Sequence, residues 1–215
     1  MNLSFERIST NSIWAETRFR DHFARYFFTR KYIKNKRVLD IACGFGYGTK
    51  IISSKASLVF GVDSDESVIK SCKTYQKGEN IEYYVGDATK LDFDNKSFDC
   101  IVSFETIEHI IEYNDFLREV KRLLTPDGIF IVSTPNYSGE LIKNNYHVSD
   151  FTENEFKDLM RLNFKKVDFY YQGKSFFPFP GRGFLEILLG IKRDVAIRRK
   201  KTEFKHAVSI AICRN

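Results

Sequence analysis

The sequence is short of the residues that build staples, metal clusters and membrane anchors, and each shortage closes off a class of protein. Its four cysteines, Cys43, Cys72, Cys100 and Cys213, never form a C-x-x-C pair. That spacing suits neither a zinc site nor a disulfide framework, and it fits a reducing compartment. No stretch reaches the roughly 18 consecutive apolar residues that a membrane span requires. The opening residues MNLSFERIST lack the basic-then-apolar order of a secretory leader. A soluble, cytoplasmic protein is therefore expected. No acidic cluster stands apart from the glycine-rich region described below, so no metal is expected. Internal repeats and low-complexity tracts are absent. The 215 residues suffice for one domain whose core needs no staples.

Negative charge is also in short supply, and unevenly so. The net charge is +6, yet Phe176 to Lys205 alone holds eight basic residues against three acids. The basic character therefore belongs to one late segment.

What the sequence does contain is an alternation of short apolar runs with helix-compatible ones. Strands are expected at Arg37–Ala42, Ser57–Val62, Ile81–Val85, Phe98–Phe104 and Ile129–Thr134, with two more at Val167–Tyr171 and Ala207–Cys213. Helices are expected at Tyr47–Ser54, Asp65–Gln76, Asn114–Leu124 and Thr152–Asn163, the last opened by Thr152 and Glu155 at capping-box spacing. Aromatic residues from Ala15 to Lys34 recur at near-helical spacing. "TPDG" at Thr125–Gly128 predicts a turn. β-branched, wholly apolar strands alternating with helices indicate a parallel sheet covered on both faces.

The first strand runs into "VLDIACGFGYGTKII", a glycine-dense turn that can hold a ligand close to its backbone. Gly44, Gly46 and Gly48 lack the third spaced glycine of a dinucleotide fingerprint, because Thr49 stands there. The sequence after Gly48 also lacks the G-K-[ST] ending of a P-loop. Asp40 stands just before the glycines. A carboxylate there repels a pyrophosphate and suits a cationic ligand, unless it serves as a turn cap or an internal partner. Asp63 follows at the end of the second strand, where open α/β sheets present a carboxylate to a ribose diol. Asp87 ends the third strand and can either accept from an adenine amino group or cap a helix.

With these residues in place, "VLDIACGFGYG", "VFGVDSDESVI", "VGDATKLDFDNKSFDCIVSFETIEHI" and "LREVKRLLTPDGIFIVSTPN" resemble the class I S-adenosylmethionine-dependent methyltransferases. The likeness is to the type 11 subgroup that includes ubiquinone-biosynthesis enzymes, and it covers about Arg37 to Asn136. It implies a Rossmann-like, doubly wound α/β fold: a mostly parallel seven-stranded sheet with helices on both faces. It also implies S-adenosylmethionine as cofactor. Asp40 and Gly44–Gly46, Phe45 included, would hold the methionine end. Asp63 would hold the ribose, and Asp87 with Ala88 the adenine. Cys43, Ser64 and Glu105 are counted with them. One domain is expected, with residues 1–36 as a helical cap, 37–136 as the cofactor core and 137–215 as acceptor-side elements carrying the basic insertion 176–205.

Methyl transfer to oxygen needs alignment and usually a base. "FETIEHI" after the fourth strand offers Glu105, Glu108 and His109, of which Glu108 is read as structural. "NNYHVSDF" resembles a Y-H-x-x-x-F segment of methyltransferases associated with bacterial surface sugars, and "DHFARY" resembles an N-terminal helix motif of the same group. His109 and His147 are accordingly the candidate catalytic bases. His22, Tyr26, Asn136 and Tyr146 are candidate acceptor contacts.

The expected activity is O-methylation of a small molecule or a glycan precursor. DNA is not expected as a partner, since the position after the fourth strand lacks the [DN]-P-P-[FYW] motif of base amino-methyltransferases. An RNA methyltransferase is the alternative, with the basic segment following phosphates, but no RNA-binding module is recognisable. A non-catalytic cofactor-binding regulator is a further alternative. Phe184, Ile187, Leu188 and Ile191 have helical spacing ahead of four consecutive basic residues. Phe176 to Lys201 thus reads as a lid helix or as a weak contact with an anionic membrane surface. The sequence leaves the oligomeric state open.

Overall fold

The computed structural model describes residues 13–136, 148–173, 197–199 and 206–215. Its strands are β1 (Arg37–Ile41), β2 (Leu58–Asp63), β3 (Ile81–Val85), β4 (Phe98–Phe104), β5 (Leu124–Pro135), β6 (Lys166–Gly173), β7 (Ile197–Arg198) and β8 (His206–Arg214). Helices α1 (Ile13–Thr29), α2 (Tyr47–Ser53), α3 (Glu66–Tyr75), α4 (Tyr113–Leu123) and α5 (Glu153–Asn163) connect or flank them. All eight strands form one sheet in the order β3-β2-β1-β4-β5-β8-β6-β7. β1 to β5 pair in parallel, whereas β8 runs antiparallel to both β5 and β6. The seven longer strands are the expected ones. The eighth, β7, is a two-residue edge strand inside the basic segment.

Strand alternation sorts the core into two layers. Leu39 and Ile41 of β1 pack with Phe116, Leu117 and Val120 of α4 and with Phe156 and Met160 of α5. Val38, of the other parity, packs on the opposite face with Tyr26 of α1 and Ile52 of α2. Asp40 has the same parity as Val38, so its side chain points toward α1 and α2. This parity decides its role.

Local capping chemistry explains several helix starts. Asp65 accepts from the N–H groups of Ser67 (2.8 Å) and Val68 (3.2 Å) and opens α3. Thr152 and Glu155 form the expected reciprocal capping box at α5. Two boundaries differ from expectation. α1 stops at Thr29, and the chain continues in turns, with Arg30 and Tyr32 donating to the Phe27 and Thr29 carbonyls. Thr125–Gly128 lies within β5 and does not separate it from α4. Phe98 pairs with Leu124 but Cys100 with Ile129, so these four residues bulge out of the ladder opposite Asp99. Among the described residues no helix is long and apolar enough to cross a membrane.

Candidate active site

The chain leaves β1 toward β2 and β3, then returns to the other side of β1 as β4. The direction of winding reverses there, and the carboxyl ends of β1 and β4 border the crevice in which open α/β sheets bind ligands.

The glycine loop fills the lower part of this crevice. Ala42, Gly44 and Gly46 all have positive φ (58°, 53° and 73°), which turns the chain sharply from β1 into α2. A Cβ on Gly46 would lie 2.7 Å from the Tyr83 hydroxyl, and one on Gly48 would lie 2.0 Å from the Tyr26 ring, so both positions are packed shut. A Cβ on Gly44 would meet nothing within 4 Å, so the loop is open on that side. Phe45, at its tip, is exposed. The N–H groups of Gly44 and Gly46 are spent within the protein, on Asp63 Oδ2 (2.9 Å) and the Cys43 carbonyl (3.1 Å).

Asp40 is fully buried. Its Oδ1 accepts from the Tyr26 hydroxyl (3.1 Å) and its Oδ2 from Thr49 Oγ1 (2.7 Å). Burial pushes its pKa up to about 7 against the opposing pull of these two bonds. In this structure Asp40 therefore braces the loop from beneath. Tyr26, expected at the acceptor, is its partner: it is buried and sits edge-on to the Tyr47 and Phe104 rings. Cys43 is likewise turned inward. Its thiol and that of Cys72 both reach the Gly44 carbonyl, at 3.7 and 3.2 Å.

Asp63 stands at the end of β2 with 9% exposure. It accepts from Gly44 N through Oδ2 and from Asp65 N through Oδ1, at 2.9 and 3.1 Å. One carboxylate thus ties the glycine loop to the start of α3. Ser64, next to it, is exposed. Asp87 is exposed and uses Oδ1 to accept from Thr89 N (2.8 Å) and Thr89 Oγ1 (2.7 Å), bonds that lower its pKa. Ala88 beside it is partly buried against the core.

On the β4 side, Glu105 follows the strand with φ 51°, a left-handed backbone that is costly for a side chain larger than glycine's. Its carboxylate is held from α1: Oε2 by His22 Nε2 and Oε1 by Arg25 Nη2, both at 2.6 Å. Arg25 is 0% exposed and also donates to Gln172 Oε1 of β6 at 2.6 Å. The sequence offered His22 and Glu105 as ligand contacts in separate roles, and the fold brings them together. It also adds Arg25, Gln172 and Thr49, which sequence reasoning did not place in the site. The available signal was the H-x-x-R-Y pattern, which puts three polar groups on one helix face.

His109 closes a 3-10 turn, Ile107–His109, and is half-buried. Glu108 is structural, as expected: it is 1% exposed and accepts from Thr134 Oγ1 at 3.1 Å. Its carbonyl receives the N–H groups of Val148 and Ser149. Burial, with Glu105 nearby, raises its pKa to about 8. Asn136 is tied to β8, its Oδ1 accepting from Ser209 Oγ at 2.6 Å. His147, Tyr146 and most of the basic segment lie outside the described residues. Within that segment Arg199 is paired with Asp168 at 2.5 Å.

Open space over Gly44 and a strand-end carboxylate at Asp63 suit a ligand that carries a ribose and an amino-acid end. Residues 39–132 match the model of the methyltransferase-domain family. In sequence and in fold this segment is similar to the class I S-adenosylmethionine-dependent methyltransferases, enzymes whose cofactor is S-adenosylmethionine.

A probable S-adenosylmethionine-dependent methyltransferase of Mycolicibacterium smegmatis is 36% identical over 99 residues, 46% of this chain and 38% of that protein. A ubiquinone biosynthesis O-methyltransferase of Azorhizobium caulinodans is 30% identical over 117 residues, 54% of this chain and 46% of that one. The chain thus spans less than half the length of these curated relatives. Among solved structures, a methyltransferase of Thermotoga maritima described as a possible histamine N-methyltransferase superposes with a TM-score of 0.67 at 19% identity, covering 94% of each chain. That likeness concerns the fold.

Proposed function

We propose that the protein transfers a methyl group from S-adenosylmethionine to a hydroxyl of a small molecule or of a glycan precursor. The observation that carries this reading is the carboxylate of Glu105, fixed at the crevice between β1 and β4 by a left-handed backbone and two cationic or imidazole partners. A hydroxyl must lose its proton as it is methylated, and a fixed anion at that edge supports such a loss. The name of the Azorhizobium relative, an O-methyltransferase, supports oxygen as the acceptor atom.

Bound S-adenosylmethionine supplies an electrophilic methyl group carried on a sulfonium. In this reading Asp63 and Ser64 take the ribose hydroxyls, and Asp87 and Ala88 flank the adenine. Gly44, Phe45 and Gly46 surround the methionine end. Asp40 acts through Tyr26 and Thr49, holding the loop in position. Aligning the acceptor oxygen with the methyl carbon supplies the entropic part of the rate enhancement.

The test is a mass-spectrometric screen with methyl-deuterated cofactor against hydroxylated aromatics, nucleotide sugars and polysaccharide fragments, alongside total RNA. Label on an oxygen of a small or glycan acceptor is expected. Label confined to nuclease-sensitive material would make the RNA alternative correct. Cofactor binding without transfer to any acceptor would favour a regulator.

A further inference from the structure

His22, Arg25 and Tyr26 stand at i, i+3 and i+4 on α1, so one helix face addresses carboxylates at two neighbouring strands. Tyr26 and Asp40 are consumed by each other in the core. The His22 and Glu105 side chains keep 17% and 27% of their surface exposed at the crevice. A carboxylate can only accept. Nε2 of His22 therefore carries the hydrogen of the 2.6 Å contact, and Nδ1 is the basic nitrogen of the neutral ring.

The carboxylate is fixed independently of the imidazole. Arg25 holds its other oxygen, Gln172 orients Arg25, and Gln172 Nε2 donates back to the Asp21 carbonyl at 3.0 Å. A fully buried guanidinium is costly unless paired, and Glu105 is its counter-ion. Base, orienting carboxylate and anchor thus form a chain in which each group fixes the next, the arrangement that activates a proton acceptor.

We propose that His22 and Glu105 are the proton-accepting pair of the transfer, with Arg25 as the positioning residue of the carboxylate. This rests on the hydroxyl-acceptor reading above. The acceptor oxygen bonds to the methyl carbon as the carbon–sulfur bond breaks, and that bonding pair stays on sulfur. The hydroxyl proton passes to His22 Nδ1, and Glu105 stabilises the imidazolium. His109, on the turn after β4, is the competing base. The ring meets Glu105, whose other oxygen holds Arg25, and Arg20 and Asp21 are the charged residues that precede His22 in sequence on α1. Tyr47 of α2 and Glu108 feel the same carboxylate and guanidinium.

Two readouts test the pair. Ring NMR of the four histidines in the full chain needs neither cofactor nor acceptor, and His22→Gln assigns the relevant signal. His22 should titrate at least about one pH unit higher in the native protein than in Glu105→Gln, because the carboxylate favours the charged ring. With the acceptor found by the screen, His22→Gln should lower kcat by about 10²-fold or more and remove the acidic limb of its pH profile. Cofactor affinity should stay within about twofold of native by the same argument, because a base acts on the acceptor's proton. His109→Gln should keep the acidic limb. A His22 midpoint indifferent to Glu105→Gln would overturn the proposal, as would native turnover in His22→Gln. Transfer to a non-hydroxyl acceptor that is indifferent to His22→Gln overturns it through its premise. An intact NMR coupling then separates that failure from a failure of the geometry.

Discussion

Tyr26 reaches from α1 to donate a hydrogen bond to Asp40 Oδ1 at 3.1 Å, inside a layer where neither group meets water. Burial holds the phenol well above its ordinary pKa, so it remains a donor. The helix that precedes the sheet in sequence is thereby part of the support of the glycine loop.

Removing only that hydroxyl, Tyr26→Phe, should cost about 1–3 kcal/mol, because it leaves a buried acceptor under-satisfied. Gly48→Ala should cost at least as much. Its Cβ would meet the Tyr26 ring at 2.0 Å, and either the helix or the loop must move. Urea unfolding of the three proteins measures both. A Gly48→Ala midpoint equal to native would mean that α1 is not seated on the loop.

At Asp63, the alanine variant loses both bonds that join the glycine loop to α3, whereas asparagine keeps one oxygen acceptor and nearly the same volume. Asp63→Ala should therefore weaken S-adenosylmethionine binding by about tenfold or more, equivalent to about 1.4 kcal/mol, and by more than Asp63→Asn does. Calorimetric titration ranks them. Equal affinities across the set would remove Asp63 from the cofactor site.

Stability should fall as pH rises from about 4 to about 8. Asp40 and Glu108 are pushed from 3.8 and 4.5 to about 7 and about 8 in the folded protein, so across that window the folded state binds more protons than the unfolded one. Their contribution is complete below the unfolded values and is lost as pH passes through the folded ones. Glu108→Gln should flatten its share of the decline, at most about 1.4 kcal/mol per pH unit. Denaturation midpoints at pH 4 to 9 give the comparison. Parallel curves for the two proteins would show that Glu108 is not held neutral.

The sheet core was legible because its signals are local. β3 and β4 have the expected ends, and the start of α3 and the capping box at α5 are set by residues two or three apart. Asp40 is legible as a carboxylate beside the glycines, but the hydroxyl that donates to its Oδ1 lies 14 residues earlier on another element. Strand parity within β1 was the readable clue to that inward direction. Aromatic spacing marked α1 as amphipathic without saying which ring would sit beneath the loop and which would face the crevice. The network of Arg25, Glu105 and Gln172 joins residues 80 and 147 positions apart, distances over which a single sequence carries no signal. "TPDG" bent the chain as its residues require, but the flanking strand pairing absorbed the bend.

The position of β8 has a consequence for how the molecule is made. Residues 206–214 are among the last of the described chain, yet they lie between β5 and β6, with Ile210, Ala211, Ile212 and Cys213 wholly enclosed. During synthesis, β5 can pair with β4 but must wait for β8 with its other edge open and its apolar side chains uncovered. At ~5–20 residues per second the wait is on the order of ten seconds. For that interval the nascent chain presents an unpaired hydrophobic strand, and its yield in a cell depends on what shields that edge until β8 emerges from the ribosome.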